Sequence, residues 1–244
     1  MGIKAISFDF WNTLFKERPG GFALYQSTRR KLLAEALSAT GEFSDERLER
    51  ACLVESESHN RVWLDEHRTL PAAERVGRIL TELEACLPDD VTSKLVVAYE
   101  EGILECPPQL IDGVREALES LSGRYRLGII SDVGFSPGRV LKQVLAQEGL
   151  LGLFDSLVFS DEAGRSKPHK EVFDRTARSL EADPREIIHI GDLEFTDIVG
   201  AKRAGYRAIR FTGVTPIGDL EETIADHVTS DFSEVPEIVA NIER

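Results

Sequence analysis

The chain has 244 residues, enough for one large hydrophobic core or for one core plus a smaller appended domain. Apolar residues make up 42% and charged residues 30%, a globular balance, and the formal net charge is −14. That field repels nucleic-acid phosphates and anionic lipid, so no nucleic acid and no membrane is expected as a partner. A small anionic substrate remains compatible where a metal ion or local lysines offset the charge.

The N-terminal stretch MGIKAISFDFWNTLF is apolar but carries Asp9 and has no small-residue cleavage site, so it does not read as a signal peptide. It contains the first of five short β-type runs, Ile3–Phe8. The others are Tyr125–Ser131, Ser156–Ser160, Ile187–Ile190 and Tyr206–Thr212. Most are continuous apolar runs, which suits strands buried on both faces of a parallel sheet. Helical segments of about 10–15 residues separate the later four, the rhythm of βαβ units.

The interval between the first two runs is different. From about Gly20 to Cys106 the pattern is helical throughout, with helices expected over Phe22–Ser38, Asp45–His67, Ala72–Leu87 and Val91–Leu104. Loops are expected at Gly41, Thr69-Leu70-Pro71 and Pro88-Asp89-Asp90. Linkers at Lys16–Gly21 and Pro107–Gly113 contain proline or glycine, as domain boundaries do. The expected fold class is α/β, a Rossmann-like doubly wound parallel sheet with an inserted four-helix domain. Residues 1–19 and 107–244 would form the sheet domain and 20–106 the helical one.

Further along, Asp112 is placed to cap a helix over Val114–Leu121. Ser136-Pro137 offers a capping hydroxyl ahead of a proline at the first helical position. Gly205 sits where a helix would end before the last run. Cys52, Cys86 and Cys106 are odd in number and lack metal-ligand spacing. They read as reduced thiols of a cytoplasmic protein.

Ligands of a doubly wound sheet bind beyond the carboxyl ends of its strands. Asp9-Phe10-Trp11-Asn12-Thr13 follows the first run, and Ser131-Asp132 closes the second. Arg165-Ser166-Lys167-Pro168 follows the third, and Gly191-Asp192-Leu193-Glu194-Phe195-Thr196-Asp197 the fourth. Taken singly, each Asp has an ordinary explanation as a cap or turn residue, and Lys167 as a solvated charge. Their order along successive strand ends points to one site. Clustered carboxylates raise one another's pKa unless a cation lies between them. An oxygen-only set suits Mg²⁺, with Lys167 offsetting charge on a transferring group and the Ser131 hydroxyl orienting phosphate oxygens.

These residues resemble the motifs of the haloacid dehalogenase (HAD) superfamily. The motifs are Asp-x-Asp-x-Thr, a Ser/Thr ending the second strand, a Lys, and Gly-Asp-x(3–4)-Asp. The helical insertion lies where that family's C1-type cap domain lies. The resemblance implies a phosphatase-type hydrolase in which Asp9 attacks a phosphoryl group to form an aspartyl-phosphate, later hydrolysed by water. It implies Lys167 as the second catalytic residue, and Asn12, Thr13, Ser131 and Asp132 as substrate-binding residues. It also implies Mg²⁺ held by Asp9, the Trp11 carbonyl, Asp192 and Asp197, the last directly or through water.

The second Asp of the first motif is Trp11 in this chain. In the family's phosphatases that residue is the general acid and base, and an indole N–H only donates a hydrogen bond. Losing a positioned acid costs ~10²–10⁴-fold. Acyl phosphates and activated aryl esters, which need little protonation, would then be the better substrates. The alternatives are a dehalogenase- or phosphonatase-like hydrolase, with Lys31 as the one candidate Schiff-base lysine, or a non-catalytic HAD-like binding protein. In the helical region His59-Asn60-Arg61-Val62-Trp63 and His67-Arg68-Thr69 could contact substrate, or are helix surface with Trp63 in the helical core. His189 is read as a satisfied core residue, and His169 as facing solvent.

Overall fold

The computed structural model describes residues 2–38, 41, 43–215 and 222–243. The chain divides into two compact units. The first comprises residues 1–16, 109–132 and 145–244, and the second 17–108 and 133–144.

The first unit is built on a parallel sheet. Its strands are β1 (Ala5–Phe8), β4 (Arg126–Ser131), β5 (Ser156–Phe159), β6 (Ile187–Gly191), β7 (Arg207–Phe211) and β8 (His227–Thr229). They lie in the order β5-β4-β1-β6-β7-β8. All five expected runs are strands. The sixth, β8, is three residues long and exposed at two of them, too short and too polar to stand out in the sequence. A two-stranded antiparallel ladder pairs β2 (Phe15–Lys16) with β3 (Gln109–Leu110), through Phe15 on Leu110. That ladder ties together the two segments read as linkers.

Both faces of the sheet are covered, so its strands are apolar without alternation. On one face Ala5, Ile130, Ile187 and Ala208 pack against Val172, Phe173 and Ala177 of α8 (Lys170–Ser179) and Ala201 of α9 (Val199–Ala204). On the other, Phe8 meets Phe154 and Phe232 at ring-centroid distances of 6.5 and 6.2 Å. There α5 (Val114–Ser122) and α10 (Val235–Glu243) pack on the 232–234 turn. Burying each of the Val, Ile and Phe side chains among these contributes about 1.5–3 kcal/mol. The expected end of α9 is found at Gly205, whose φ of 92° is the left-handed value favouring glycine. The expected capping role of Asp112 is not, because Gly113 occupies the N-cap of α5.

The chain runs from central β1 outward to β4 and β5, then crosses to β6, β7 and β8. The carboxyl ends of β4, β1 and β6 therefore flank the point where the strand order reverses.

The second unit contains α1 (Gly21–Leu37), α2 (Asp45–Glu66), α3 (Ala72–Glu82) and α4 (Asp89–Glu101), with the first residues of α6 (Gly138–Gln147). Its core joins Leu33 and Leu37, Leu48 and Ala51, Val76 and Ile79, and Leu95 and Tyr99. The intervals of three and four residues within these pairs are those of amphipathic helices. Asp89 and Asp90, expected in a loop, form the first turn of α4, where carboxylates suit the helix dipole. α3 stops at Glu82, short of the expected Leu87, because Glu84 has a positive φ of 53°. The buried face of α2 runs Leu48, Ala51, Glu55, His59, Val62, so two of its five core positions are polar. Asn60 and Arg61 are exposed and Trp63 is half-buried.

Candidate active site

Every residue singled out at the strand ends lies in the first unit. β1 is held between β4 and β6, and the Asp9 N–H donates to Ile190 C=O at 2.8 Å, so the backbone under Asp9 is fixed by the sheet. The following turn is closed on Phe10 C=O by the N–H groups of Leu14 and Phe15, and Asn12 N–H donates to Phe15 C=O. Asn12 takes a φ of 56°, a left-handed conformation that Asn tolerates better than most residues. The Trp11 indole packs edge-on to Phe10 at 5.1 Å.

Lys167 is buried, and its ammonium donates to Asp9 Oδ1 and Asp197 Oδ1, both at 2.5 Å. Its backbone N–H donates to Asp132 Oδ1 at 2.9 Å. Asp132 therefore fixes the loop that delivers the lysine. Ser131, buried at the end of β4, donates its hydroxyl to Asp132 C=O at 3.1 Å. The Thr13 hydroxyl is buried without a partner, a donor left available for a ligand.

Asp197 enters from a wide helical turn over Glu194–Ile198, in which the N–H groups of Asp197 and Ile198 both reach Leu193 C=O. Such π-type turns re-aim side chains at functional sites. Gly191 makes the close approach possible, since a Cβ there would lie 2.4 Å from Asp197 Cγ. Asp197 Oδ1 is shared by Lys167 and His189, and its Oδ2 accepts Leu193 N–H at 3.0 Å.

Asp9, Asp192 and Asp197 are all buried, and each offers a carboxylate oxygen within 4.8 Å of the others. Burial raises the Asp9 pKa well above the ordinary carboxylate range, with Lys167 opposing and Asp197 and Asp192 adding to the rise. Burial, with repulsion from Asp197, pushes Asp192 up to about 6. Asp197 is pulled down, because Lys167 and His189 outweigh its burial. The difference follows from donors, since Lys167 is the one side-chain partner of Asp9 among the described residues. Burial would lower Lys167, but Asp197 and Asp9 outweigh it and raise the ammonium. Three buried carboxylates thus face one fixed cation. That excess and the all-oxygen donor set fit a hard divalent ion.

The sequence profile of the family described as haloacid dehalogenase-like hydrolase matches residues 3–205. The chain belongs to that family. Among curated relatives of this HAD-like hydrolase, glyceraldehyde 3-phosphate phosphatase of Pyrococcus furiosus is 32% identical over 137 residues, 55% of either chain. Phosphoglycolate phosphatase of Haemophilus influenzae is 27% identical over 67% of this chain and 70% of its own. The HAD-like chain thus matches about half the length of the first of these relatives. Among solved structures, the 2-haloacid dehalogenase of Pseudomonas syringae superposes with a TM-score of 0.75 at 24% identity, covering 98% of this chain and 99% of its own. A HAD phosphatase of Thermococcus onnurineus gives 0.65 at 23%, covering 97% and 98%. These two show the fold.

Several contributors to the HAD-like site are not legible as motifs. His189, read as a satisfied core residue, is buried with both ring nitrogens bonded, to Asp197 Oδ1 at 3.3 Å and Ser7 Oγ at 2.9 Å. Because Asp197 only accepts, the imidazole donates through Nε2 and accepts from Ser7 through Nδ1. Burial lowers its pKa. The available signal was polarity, as Ser7 and His189 are register partners in adjacent apolar strands. Arg210 of β7 is buried and braces the same loop through Asp192 C=O at 3.3 Å and Glu194 Oε2 at 3.0 Å. The Thr215 hydroxyl donates to Asp192 Oδ2 at 2.7 Å. His169, half-exposed, accepts Glu171 N–H at the start of α8. Lys31 is 78% exposed and pairs with Glu35 at 3.9 Å, without the desolvation a Schiff-base lysine needs. Cys52, Cys86 and Cys106 are free thiols. No described helix is long and apolar enough to cross a membrane.

Proposed function

We propose that the protein is a Mg²⁺-dependent phosphatase acting on a small phosphorylated metabolite through an aspartyl intermediate at Asp9. The observation that carries this reading is the Lys167 ammonium held between Asp9 and Asp197, with Asp192 beside them. A buried carboxylate kept on a fixed cation is a pre-positioned nucleophile.

The Asp9 carboxylate attacks phosphorus as the bond to the leaving oxygen breaks, and the leaving group departs with the electron pair. Water then attacks the aspartyl-phosphate, releasing inorganic phosphate and regenerating Asp9. Lys167 offsets charge on Asp9 and on the transferring phosphoryl group. Thr13 and Ser131 offer hydroxyls, and Asn12 an amide, to its oxygens, while Asp132 holds the Lys167 loop. Mg²⁺ would be held by Asp9, the Trp11 carbonyl, Asp192 and Asp197, the last directly or through water, and would supply charge neutralisation. Residues 20–106 are proposed as a cap domain conferring specificity on a core of 1–19 and 107–244, in a cytoplasmic protein.

Trp11 cannot protonate a leaving group, so acyl phosphates and activated aryl phosphates are the favoured substrates. The same residue supports a second reading, displacement of halide, which needs no proton. A substrate panel with and without Mg²⁺, run beside Asp9→Asn, tests both. Mg²⁺-dependent phosphate release lost in Asp9→Asn is expected. Halide release without metal would replace the first reading with the second. Tight binding without turnover across the panel would make the protein a binding module.

A further inference from the structure

Unpartnered buried polar atoms mark places where a ligand can complete the structure, as the Thr13 hydroxyl does beside Asp9. Others lie in the helical unit, among them Arg29 Nε, Ser136 Oγ and His59 Nδ1. Arg29 is stacked on the Phe135 ring together with Arg75. The Arg75 guanidinium carbon lies 3.6 Å from the Phe135 centroid and that of Arg29 4.5 Å, while Tyr99 meets the same ring edge-on at 5.3 Å. Ser136 follows Phe135 directly. His59 lies one turn beyond Glu55 on the buried face of α2, beside Arg75.

The charges do not balance. Arg75 is satisfied by Glu55 through two bonds of 2.6 and 2.8 Å, a buried bidentate pair. Arg29 has no carboxylate at ion-pair distance among the described residues. Its Nη2 donates to Tyr99 C=O at 3.3 Å, and its Nε–H is unused. Glu17 is close enough to feel the Arg29 charge but makes no bond to it. Of the two guanidiniums only Arg75 is ion-paired, so Arg29 is an unbalanced positive charge in a chain of net −14. Burial and the neighbouring Arg75 lower Arg29 to about 10, and burial with Arg75 and Arg78 holds His59 near 4, so the imidazole is neutral and can donate. Arg29 is half-buried as a residue with its Nε shielded, and Ser136 and His59 are buried.

Ser136 has the position of a helix cap, ahead of Pro137 and α6, yet its hydroxyl caps nothing, and Val140 and Leu141 N–H are satisfied by Pro137 C=O. An unpaired buried hydroxyl costs about 1–3 kcal/mol if left so. A guanidinium fork, a hydroxyl and a neutral imidazole are the donors an oxyanion requires.

We propose that the helical unit carries a binding site for a small oxyanion, a carboxylate or phosphate group, formed by Arg29, Ser136 and His59 around Phe135. The inference does not depend on the chemistry assigned to Asp9.

The test uses the full-length protein without Mg²⁺ and follows the arginine Nε–H signals by NMR. Sodium phosphate and sodium acetate are titrated separately, with sodium chloride at matched ionic strength as control. The Arg29 signal is assigned by its loss in Arg29→Lys. It should shift saturably with phosphate, acetate or both, and not with chloride, and the preferred anion identifies the ligand class. Ser136→Ala deletes an unpaired hydroxyl, so the free protein should keep or gain thermal stability while the anion binds about tenfold more weakly. His59→Gln is the second variant and should likewise weaken binding. No saturable shift with either anion, or binding undiminished in both variants, overturns the proposal.

Discussion

Lys167 Nζ lies 2.5 Å from Asp9 Oδ1, and the same ammonium reaches Asp197 Oδ1 at 2.5 Å. One cation therefore balances part of a buried cluster of three carboxylates. Replacing it with Met keeps volume and removes charge. Breaking a buried ionic contact from one side costs about 3–5 kcal/mol. Lys167→Met is expected to lose that much in urea denaturation at neutral pH, with part regained on adding MgCl₂. A variant as stable as the parent without added cation would contradict this role for Lys167.

By the motif resemblance, Trp11 stands where a phosphatase of this kind would carry a proton donor. Trp11→Asp is expected to raise turnover of alkyl phosphates by about 10²–10⁴-fold, with a smaller effect on acyl phosphates. Steady-state kinetics on one substrate of each kind decides it. No gain in a folded, Mg²⁺-binding variant would mean that leaving-group protonation does not limit the reaction.

His59 titrates near 4 in the fold, lowered by burial and by Arg75 and Arg78, against an ordinary value of 6.5. Between those values the unfolded chain binds more protons than the folded one, so stability rises with pH across that window and falls on acidification. Urea midpoints measured from pH 7 to pH 4 should fall less steeply in His59→Gln than in the parent. Equal slopes would show that His59 protonates freely in the fold.

The sequence exposed the sheet because strands covered on both faces are apolar throughout. It exposed the site because Asp9, Ser131, Lys167 and Asp192 each follow a strand in order. Less legible were residues whose role depends on partners distant in sequence. Arg210 and Asp192 are 18 residues apart and Ser7 and His189 are 182, and neither pair has a fixed spacing to recognise. Glu55 falls on a regular helical stripe, but its burial follows from Arg75, which periodicity does not display. The capping hydroxyl expected at Ser136 is not found: α6 starts at Gly138, one residue further on than the Ser-Pro pair predicts, and the Ser136 hydroxyl has no partner.

The central claim is that Asp9 is the nucleophile. Its most direct test is acid-quenched peptide mass mapping after mixing the protein with acetyl phosphate and Mg²⁺ on the millisecond scale. One phosphoryl group is expected on the peptide containing Asp9, absent in Asp9→Asn. Phosphate release with no modification at Asp9, or with the phosphoryl group on another residue, would contradict it.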